Sequence, residues 1–327
     1  MIYSFAPTDK RKLEFLQILQ SSGIDFEITE HDHSVVRVLG QVTAEIAQKI
    51  KDAGISAQSL ALNRIAETNC YDLISRRSEL TIIAGPCAVE SAAQLELICA
   101  GLSRSGVKFL RGGAYKPRTK VDSFQGLGIA GLKLLRNFAD RFGMYVVTEV
   151  MDRSQIDLVA EYADILQVGS RNMYNYTLLT ALGSVDRPVL LKRGMSATLS
   201  EWYSAAEYVS RGGNERLILC ERGIRTFEPE IAHTMDVAGI VLAKAHTGYP
   251  IIADTSHAAG RPDLVEPLAM AAVAAGADGI MIEVHPAPSQ ALSDGKQALM
   301  LPQFEQLATS ARQFFAVRKS ISNSEQD

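Results

Sequence analysis

The amino-acid sequence predicts an α/β fold: a (β/α)8 TIM barrel that follows a small domain of strands and helices. Two observations lead to the barrel. From residue 80 onward, short apolar segments recur eight times, and their interiors are apolar throughout, as in parallel strands buried on both faces. Amphipathic segments of helical length separate them, for example SAAQLELICAGLSRSG after the first. Eight such units in about 240 residues favour a closed barrel over the alternative, an open doubly wound sheet.

Residues 1–66 form the first predicted domain. Its predicted strands are 2–6, 25–30, 34–40 and 59–65, and its predicted helices are 9–22 and 43–53. This order of elements, βαββαβ, is typical of a ferredoxin-like sandwich with the helices on one face. The polar stretch 67–79 is expected to be a linker, residues 80–318 the barrel domain and residues 319–327 a flexible tail.

The eight barrel strands are predicted at 81–86, 107–113, 144–150, 164–170, 188–194, 216–223, 249–257 and 278–286. The carboxyl ends of all strands of a parallel barrel meet at one rim, where active sites lie. Chemically functional side chains stand at or just after the predicted strand ends: Cys87, Arg111, Glu149, Lys192, Glu221, Arg222, His257 and Glu283. We therefore expect an active site at this rim.

The composition excludes several classes of protein. The apolar content of 47% and the charged content of 21% are those of a soluble globular protein, and a net charge of −4 gives no general attraction for nucleic acid. No apolar run is long enough to span a membrane, and the N-terminus lacks a signal-peptide pattern, so we expect a cytoplasmic protein. The phosphate-binding motifs of nucleotide kinases and dehydrogenases and the Gly-x-Ser-x-Gly motif of serine hydrolases are absent from the sequence.

Four residues near the rim offer donors for a metal ion. Cys87, His257 and Glu283 stand at strand ends, and Asp294 lies in the loop beyond the last strand. A thiol, an imidazole and two carboxylates suit a divalent transition metal such as Zn²⁺, Mn²⁺, Fe²⁺ or Co²⁺. Taken alone, Cys87 could equally be a small buried apolar residue and His257 a capping or core histidine. Their expected convergence at one rim favours the metal site.

Seven cations also lie at strand ends or in the loops just after them: Arg111, Lys116, Arg118, Arg171, Lys192, Arg193 and Arg222. An unpaired charge beside buried strands is costly. Either carboxylates such as Glu149 and Glu221 neutralise these cations, or an anionic ligand does. Because the cations outnumber the rim carboxylates, we predict a substrate that carries phosphate and carboxylate groups, both of which arginine binds in a bidentate manner.

Several motifs resemble, in this order, those of 3-deoxy-D-arabino-heptulosonate-7-phosphate (DAHP) synthases: IIAGPCAVES, LRGGAYKPRT, SFQG, LLKRGM, LCERGIRTF, DTSHAAGR and EVHPAP with ALSDG. The similarity covers about residues 80–315 and is closer to the type Iβ branch, which includes the octulosonate-8-phosphate synthases. The resemblance implies a transferase that condenses phosphoenolpyruvate with erythrose 4-phosphate in the first step of the shikimate pathway to aromatic amino acids.

The resemblance also implies roles for individual residues. The metal ligands would be Cys87, His257, Glu283 and Asp294. Phosphoenolpyruvate would be bound by Arg111, Lys116, Arg171, Lys192, Arg222 and a backbone N–H near Ser170. The aldose phosphate would be bound by Arg118 and Thr119. The metal ion would polarise the aldehyde that C3 of phosphoenolpyruvate attacks, water would add to C2, and phosphate would leave. Lys116 and Glu149 are the candidates for proton transfer.

The identity of the acceptor sugar depends on residues 116–119. KPRT at this position favours erythrose 4-phosphate, because the octulosonate branch has a KANR-type loop there. Two differences from the family pattern keep another aldose phosphate, such as arabinose 5-phosphate, as the alternative. Residues 120–122 are Lys-Val-Asp where Ser-Pro-Tyr is frequent, and Tyr174 replaces a usual Gln.

The resemblance implies partners as well. In some members of this branch the N-terminal domain binds phenylalanine or tyrosine and inhibits the enzyme, and members are commonly homotetramers. A purely structural or oligomerisation role is the alternative for residues 1–66. Two other functions remain open: a metal-dependent phosphosugar aldolase or isomerase, and a non-catalytic amino-acid sensor with a vestigial barrel. The complete set of four metal-ligand candidates argues against the sensor.

Overall fold

The computed structural model describes residues 2–5, 9–24, 26–30, 34–38, 43–53, 55, 70–116 and 122–324. The chain divides into two compact units, Met1–Glu67 and Thr68–Asp327. The division falls one residue after the end of the predicted first domain.

The described part of the first unit contains three antiparallel strands and two helices. They are β1 (Ile2–Phe5), α1 (Arg11–Ser21), β2 (Phe26–Glu30), β3 (Ser34–Val38) and α2 (Ala44–Asp52), and β3 lies between β1 and β2 in the sheet. Apolar side chains from the two helices, from the residues shortly after each helix and from the central strand form its core: Phe15, Leu19, Ile24, Val36, Ile50 and Ile55. The predicted fourth strand, 59–65, lies outside the described residues, so the ferredoxin-like topology stays a prediction.

The second unit is a closed barrel of eight parallel strands. These are β4 (Thr81–Gly85), β5 (Phe109–Arg111), β6 (Tyr145–Glu149), β7 (Ile165–Val168), β8 (Val189–Lys192), β9 (Leu217–Glu221), β10 (Ile251–Asp254) and β11 (Gly279–Glu283). Each strand pairs with the next, and β11 pairs with β4 to close the ring. The predicted (β/α)8 barrel is therefore confirmed, and the open-sheet alternative is wrong.

Helices alternate with the strands around the barrel. They are α3 (Cys70–Ser75), α4 (Ala92–Arg104), α5 (Ile129–Arg141), α6 (Ile156–Tyr162), α7 (Tyr176–Leu182), α8 (Leu199–Ser210), α9 (Val237–Thr247), α10 (Thr255–Ala259), α11 (Pro262–Ala274) and α12 (Leu301–Ser324). Side-chain caps fix several of their starts. Ser91 accepts a hydrogen bond from the Gln94 N–H at α4, and Thr198 forms a capping box with Glu201 at α8.

Two apolar layers follow from the twofold alternation of side chains along each strand. On β4, Ile82 and Ala84 face the surrounding helices, whereas Ile83 belongs to the interior of the barrel. The interior cluster takes residues from every strand and contains Ile83, Phe109, Tyr145, Val147, Ile165, Leu190, Ile218, Cys220, Ile252 and Met281. The middle of the barrel is thus a packed core, and the space for ligands lies at an end of the strands.

Helix α3 occupies part of the segment that was predicted to be a linker. Its side chains Cys70 and Ile74 are buried in the interior cluster, and the Cys70 thiol lies 3.7 Å from the carbonyl oxygen of Asp164, which precedes β7. The helix therefore covers the amino-terminal end of the barrel. The prediction of a polar linker over 67–79 is wrong for 70–75, because Cys70 and Ile74 lie four residues apart on one helical face.

Helix α12 corrects the predicted tail. We expected a flexible tail from residue 319, but the helix continues to Ser324. Of the predicted tail, residues 325–327 lie outside the described part. Contacts with the barrel explain the extension. Arg318 donates to the carbonyl oxygen of Val273, and the Lys319 ammonium donates to that of Ser78.

No helix in the described part of the chain combines the length and the apolar character that crossing a bilayer requires.

Candidate active site

The carboxyl ends of the barrel strands present charged side chains to one rim. Arg111, Glu149, Lys192, Glu221 and Glu283 are each the last residue of a strand. All except Glu149 are less than a tenth exposed. Charges so deeply buried need partners at close range, which makes the rim chemically specialised.

His257 reaches this rim from a helical turn. The sequence predicted a strand over 249–257, but β10 ends at Asp254 and α10 begins at Thr255. The Asp254 carboxylate caps the turn by accepting from the His257 N–H at 3.2 Å. The strand prediction is wrong at 255–257, because the Asp254 carboxylate caps a helical turn there.

Four side chains converge at the rim into one cluster. One ligand atom from each of Cys87, His257, Glu283 and Asp294 lies within 4.8 Å of all the others. Cys87 and Glu283 are buried, His257 is half-buried and Asp294 is exposed. Sulfur, nitrogen and oxygen donors at such spacing could hold one divalent transition metal ion, with Asp294 on the open side.

Glu283 has a carboxylate oxygen directed into this cluster. Its Oε1 is buried and accepts no hydrogen bond from the described residues, although Arg111 Nη1 lies at 3.1 Å and His257 Nε2 at 3.3 Å. The other oxygen, Oε2, accepts from the Gln297 amide at 2.9 Å. A buried carboxylate oxygen without a hydrogen bond costs free energy unless a cation completes it. The donor set therefore fits a metal ion.

The thiol of Cys87 contacts two charged groups of opposite sign. Lys116 Nζ lies 2.9 Å from Sγ, and Asp294 Oδ2 also lies 2.9 Å from it. Burial, with the Glu283 charge second, raises the pKa of Cys87 to about 12. Burial also acts to lower the pKa of Lys116, but the neighbouring Cys87 and Glu149 side chains outweigh it, so that this pKa is raised and Lys116 stays a cation.

The Asp254 carboxylate contacts the imidazole of His257 at the ring nitrogen Nδ1. This nitrogen lies 2.8 Å from Asp254 Oδ2. The same carboxylate binds the Lys192 ammonium. Burial alone would raise the pKa of Asp254; the nearby His257 and Lys192 instead hold it well below its usual range. Asp254 is thus an anion that fixes one ligand candidate and one cation of the rim.

A cavity of about 280 Å³ opens beside the metal-ligand cluster. Four of its lining residues are the predicted cations Lys116, Arg171, Lys192 and Arg222. Within the described residues, neither Arg171 nor Arg222 has a carboxylate at salt-bridge distance, and Arg222 donates to the carbonyl oxygens of Gly223 and His257. The cavity is therefore electropositive and suited to an anion with more than one charge.

Two predicted cations do not line this cavity. Arg193 is neutralised by Glu221 at 3.0 Å and Asp236 at 2.8 Å, and its guanidinium lies 5.9 Å from the ring centre of Trp202. Of the two alternatives for Arg193, neutralisation by carboxylates of the chain, Glu221 among them, is therefore the one that the structure supports. Arg111 is buried at the metal-ligand cluster, where it faces Glu283.

Glu149 lines the cavity next to a glycine that makes room for it. A Cβ atom at Gly169 would lie 2.1 Å from Glu149 Oε1, so no larger residue fits there without displacing the carboxylate. Gln167 donates to Glu149 Oε2 at 3.4 Å. Ser170, in a 3₁₀ turn over Ser170–Asn172, lines the same wall.

The segment predicted to bind the aldose phosphate, residues 116–119, is described only at Lys116. Arg118 and Thr119 lie outside the described residues, as do 120 and 121. Tyr174 is 43% exposed and is not among the cavity-lining residues.

Sequence reasoning missed three residues of the site: Asp254, His233 and Gln297. Asp254 could have been found, because it ends β10 within the motif that contains His257. His233 and Gln297 line the cavity from segments without periodic apolar patterns, so the sequence held no signal for them. Burial, with the Arg222 charge second, lowers the pKa of His233 to about 4, which keeps the imidazole neutral at pH 7.

Comparison with known proteins gives consistent matches. A sequence model of the DAHP synthetase I family matches residues 65–319. The chain is 53% identical over 227 residues to the phospho-2-dehydro-3-deoxyheptonate aldolase of Thermotoga maritima, which covers 69% of this chain and 67% of the relative. It is 30% identical over 261 residues to the 2-dehydro-3-deoxyphosphooctonate aldolase of Thiobacillus denitrificans. This alignment covers 73% of this chain and 91% of the relative.

Among solved structures, the chain resembles the crystal structure of the phospho-2-dehydro-3-deoxyheptonate aldolase (DAHP synthase) from Thermotoga maritima. The TM-score is 0.71 at 39% sequence identity, and the alignment covers 97% of each chain.

Proposed function

Since the chain belongs to the DAHP synthetase I family, we propose that it is the enzyme that condenses phosphoenolpyruvate with erythrose 4-phosphate to give DAHP and inorganic phosphate. The family resemblance of the sequence motifs is confirmed by the match over residues 65–319. The relative with 53% identity is named for the heptonate product, whereas the octonate-named relative has 30% identity. This difference favours the four-carbon acceptor.

One observation supports the proposal above the others. The metal-ligand cluster of Cys87, His257, Glu283 and Asp294 lies beside a cavity whose cations exceed its carboxylates. A phosphoenolpyruvate molecule carries a phosphate and a carboxylate, which match an electropositive cavity. An aldehyde bound at the cluster would lie next to it, as a condensation between the two molecules requires.

We assign a divalent transition metal, Mn²⁺, Zn²⁺, Fe²⁺ or Co²⁺, to the cluster. When bound, the ion would supply Lewis acidity for an aldehyde oxygen. The thiol with its pKa of about 12 must lose its proton to become a ligand. Lys116, 2.9 Å from Sγ, stabilises the resulting thiolate by its positive charge. Removal of Lys116 would therefore weaken both metal binding and anion binding.

The cavity cations have the task of binding phosphoenolpyruvate. We propose that Lys116, Arg171, Lys192 and Arg222 bind its phosphate and carboxylate, together with a backbone N–H near Ser170. Arg111 faces Glu283 and does not line the cavity. Its contact with phosphoenolpyruvate stays a proposal that the family resemblance alone supports. Cations fixed in advance by buried partners, as Lys192 is by Asp254, lose little freedom when the substrate binds.

Lys116 and Glu149 remain the proposed groups for proton transfer. Both line the cavity, and the negative charge of Glu149 contributes to the raised pKa of Lys116. Glu149 could accept a proton from the water that adds to C2, and Lys116 could donate one to the oxygen of the aldehyde. Arg118 and Thr119 are the proposed contacts of the aldose phosphate.

The proposed function is tested by measuring inorganic phosphate released from phosphoenolpyruvate with erythrose 4-phosphate. We expect turnover that stops with a chelator and returns with Mn²⁺. Arabinose 5-phosphate in place of erythrose 4-phosphate should give much slower release. The variant Arg222→Met should raise the KM for phosphoenolpyruvate, whereas Arg211→Met, at an exposed pair with Glu207, should not.

Two results would contradict the proposal. Faster phosphate release with arabinose 5-phosphate would assign the chain to the octulosonate reaction, the alternative that Tyr174 and residues 120–122 kept open. Turnover of a sugar phosphate without phosphoenolpyruvate would instead indicate an aldolase or isomerase.

We further propose a cytoplasmic homotetramer whose first unit binds phenylalanine or tyrosine as an inhibitor. The support is the resemblance to regulated members of the type Iβ branch. Activity measured with each amino acid, and the mass of the assembly in solution, test the two parts separately.

A further inference from the structure

We infer that Glu90 is a positioning residue that holds the Asp294 loop against the barrel, and so sets Asp294 on the metal-ligand cluster. The Asp294 loop is defined as residues 285–295. The inference rests on the proposed metal site and adds to it a residue that is neither a ligand nor part of the cavity lining.

Glu90 contacts the Asp294 loop at two points. Its Oε1 accepts from the Leu292 N–H at 2.9 Å, two residues before Asp294. Its Oε2 lies 3.3 Å from Nε2 of His285, at the start of the loop. The Ala287 N–H donates to the other ring nitrogen, Nδ1, at 3.0 Å. Nδ1 therefore carries no proton in the neutral ring, Nε2 does, and Nε2 donates to Glu90.

Hydrogen bonds within the β4–α4 connection hold Glu90 in place. The Glu90 N–H donates to the Gln94 side chain at 3.0 Å, and Gln94 donates in turn to the Ala88 carbonyl oxygen at 3.3 Å. Gln94 belongs to α4 and is buried. The Glu90 side chain itself is only 12% exposed. Glu90 therefore transmits the position of the β4–α4 connection, which also contains Cys87, to the Asp294 loop.

The loop needs such support, because Asp294 is the exposed member of the cluster. Its backbone has φ of 49°, in the left-handed region that non-glycine residues seldom adopt. The chain is also compact just after it, since a Cβ atom at Gly295 would lie 2.1 Å from the Pro288 carbonyl oxygen. A strained conformation persists only when surrounding contacts determine it. The bond from Glu90 to Leu292 is one such contact.

The test measures Co²⁺ binding to the metal-free protein, using the thiolate-to-cobalt absorption band that reports coordination by Cys87. The variants are Glu90→Ala, Asp294→Ala and the double variant, with Glu96→Ala as the matched control. Glu96 lies on α4 and pairs with Arg141 at the surface. We expect Glu90→Ala to weaken Co²⁺ binding about 10- to 100-fold, the range for residues that orient a ligand. Glu96→Ala should bind like the wild type.

The double variant distinguishes positioning of Asp294 from any other effect. If Glu90 acts through Asp294, Glu90→Ala adds almost nothing to the loss caused by Asp294→Ala. Losses that multiply, or a Glu90→Ala variant with wild-type affinity, would overturn the inference. A wild-type protein that shows no thiolate band would instead contradict the proposed metal site itself.

A readout without metal completes the test. In the metal-free protein, the Leu292 amide of Glu90→Ala should exchange its hydrogen faster than in the wild type, whereas amides of α4 should not. Glu90→Gln guards against misfolding, because its amide oxygen can still accept from Leu292 while the contact with His285 is lost. We expect its Co²⁺ affinity to lie between those of the wild type and Glu90→Ala; a larger loss than in Glu90→Ala would also contradict the inference.

Discussion

Asp254 supports the site without lining the cavity. It is fully buried between the Lys192 ammonium and the His257 ring, and it caps α10. The anion is therefore part of the preorganisation of both the cation and the ligand candidate. An uncharged replacement would leave Lys192 buried without its carboxylate, which typically costs about 3–5 kcal/mol.

We accordingly expect Asp254→Asn to lower the free energy of unfolding by about 3–5 kcal/mol and to weaken Co²⁺ binding about 10- to 100-fold. Urea unfolding and metal titration measure the two effects. Asp186→Asn is the control, because Asp186 pairs with Arg216 at the surface with 91% of its side chain exposed. An Asp254→Asn protein with wild-type stability and affinity would show that the contact has no energetic weight.

His233 makes stability depend on pH. Its folded-state pKa is lowered to about 4 by burial and the Arg222 charge, against an ordinary value of 6.5. The unfolded chain therefore takes up a proton at a higher pH than the folded chain does. The stability that depends on the neutral His233 ring is fully present above pH 6.5. It decreases as the pH falls below that value and is lost by about pH 4.

When the pH is lowered from 7.5 to 5, we expect the free energy of unfolding to fall less in His233→Gln than in the wild type. Urea midpoints at both pH values measure the difference, and His246→Gln, which removes the ring stacked on Tyr203, controls for loss of a histidine elsewhere. Equal pH dependence in the wild type and His233→Gln would contradict the assignment.

At the scale of elements, α3 contributes to the barrel out of proportion to its six residues. Ile74 is fully buried in the interior cluster beneath the strands. Truncation there leaves a cavity that neighbouring strands cannot fill. We expect Ile74→Ala to reduce the free energy of unfolding by about 2–5 kcal/mol. Ile129→Ala on α5, where the side chain is 46% exposed, should change it by no more than about 0.5 kcal/mol. Similar losses in both variants would argue that α3 is a mere connector.

The elements also show which parts of the structure the sequence could predict. Each of the eight strands was predicted, because a strand buried on both faces has an unbroken apolar interior. Their ends were predicted less well, as at Asp254, where a cap starts a helical turn inside an apparently continuous strand. Helix α3 was missed because its two buried residues are too few for a recognisable period.

The site divides in the same manner. Cys87, His257 and Glu283 could be predicted because the rule that strand ends meet at one rim needs only their positions in the sequence. The neutralisation of Arg193 by Glu221 and Asp236 could not, since it depends on which way each side chain points. Likewise, Gln297 and His233 reach the cavity from loops whose path has no sequence period.

At the scale of the whole molecule, the two compact units have separate cores. All four residues of the metal-ligand cluster and all cavity-lining residues belong to the second unit. We therefore expect a chain that begins at Thr68 to fold and to retain phosphate release from phosphoenolpyruvate and erythrose 4-phosphate. Any inhibition by phenylalanine or tyrosine should disappear with the first unit.

Steady-state assays of the full chain and the shortened chain, with and without each amino acid, measure this. Inhibition that persists in the shortened chain would place the effector site on the barrel unit. Loss of all activity in a folded, shortened chain would show that the first unit takes part in catalysis.

Helix α3 completes an apolar layer that covers the amino-terminal end of the barrel. Cys70 and Ile74 lie in this layer, and packed apolar side chains fill the middle of the barrel above them. The cavity lies at the opposite end, at the rim, and we expect its substrates and products to enter and leave there. If one substrate binds deeper in the cavity than the other, we expect it to bind first and its product to leave last. The shape of the barrel would then by itself set the order of substrate binding and product release.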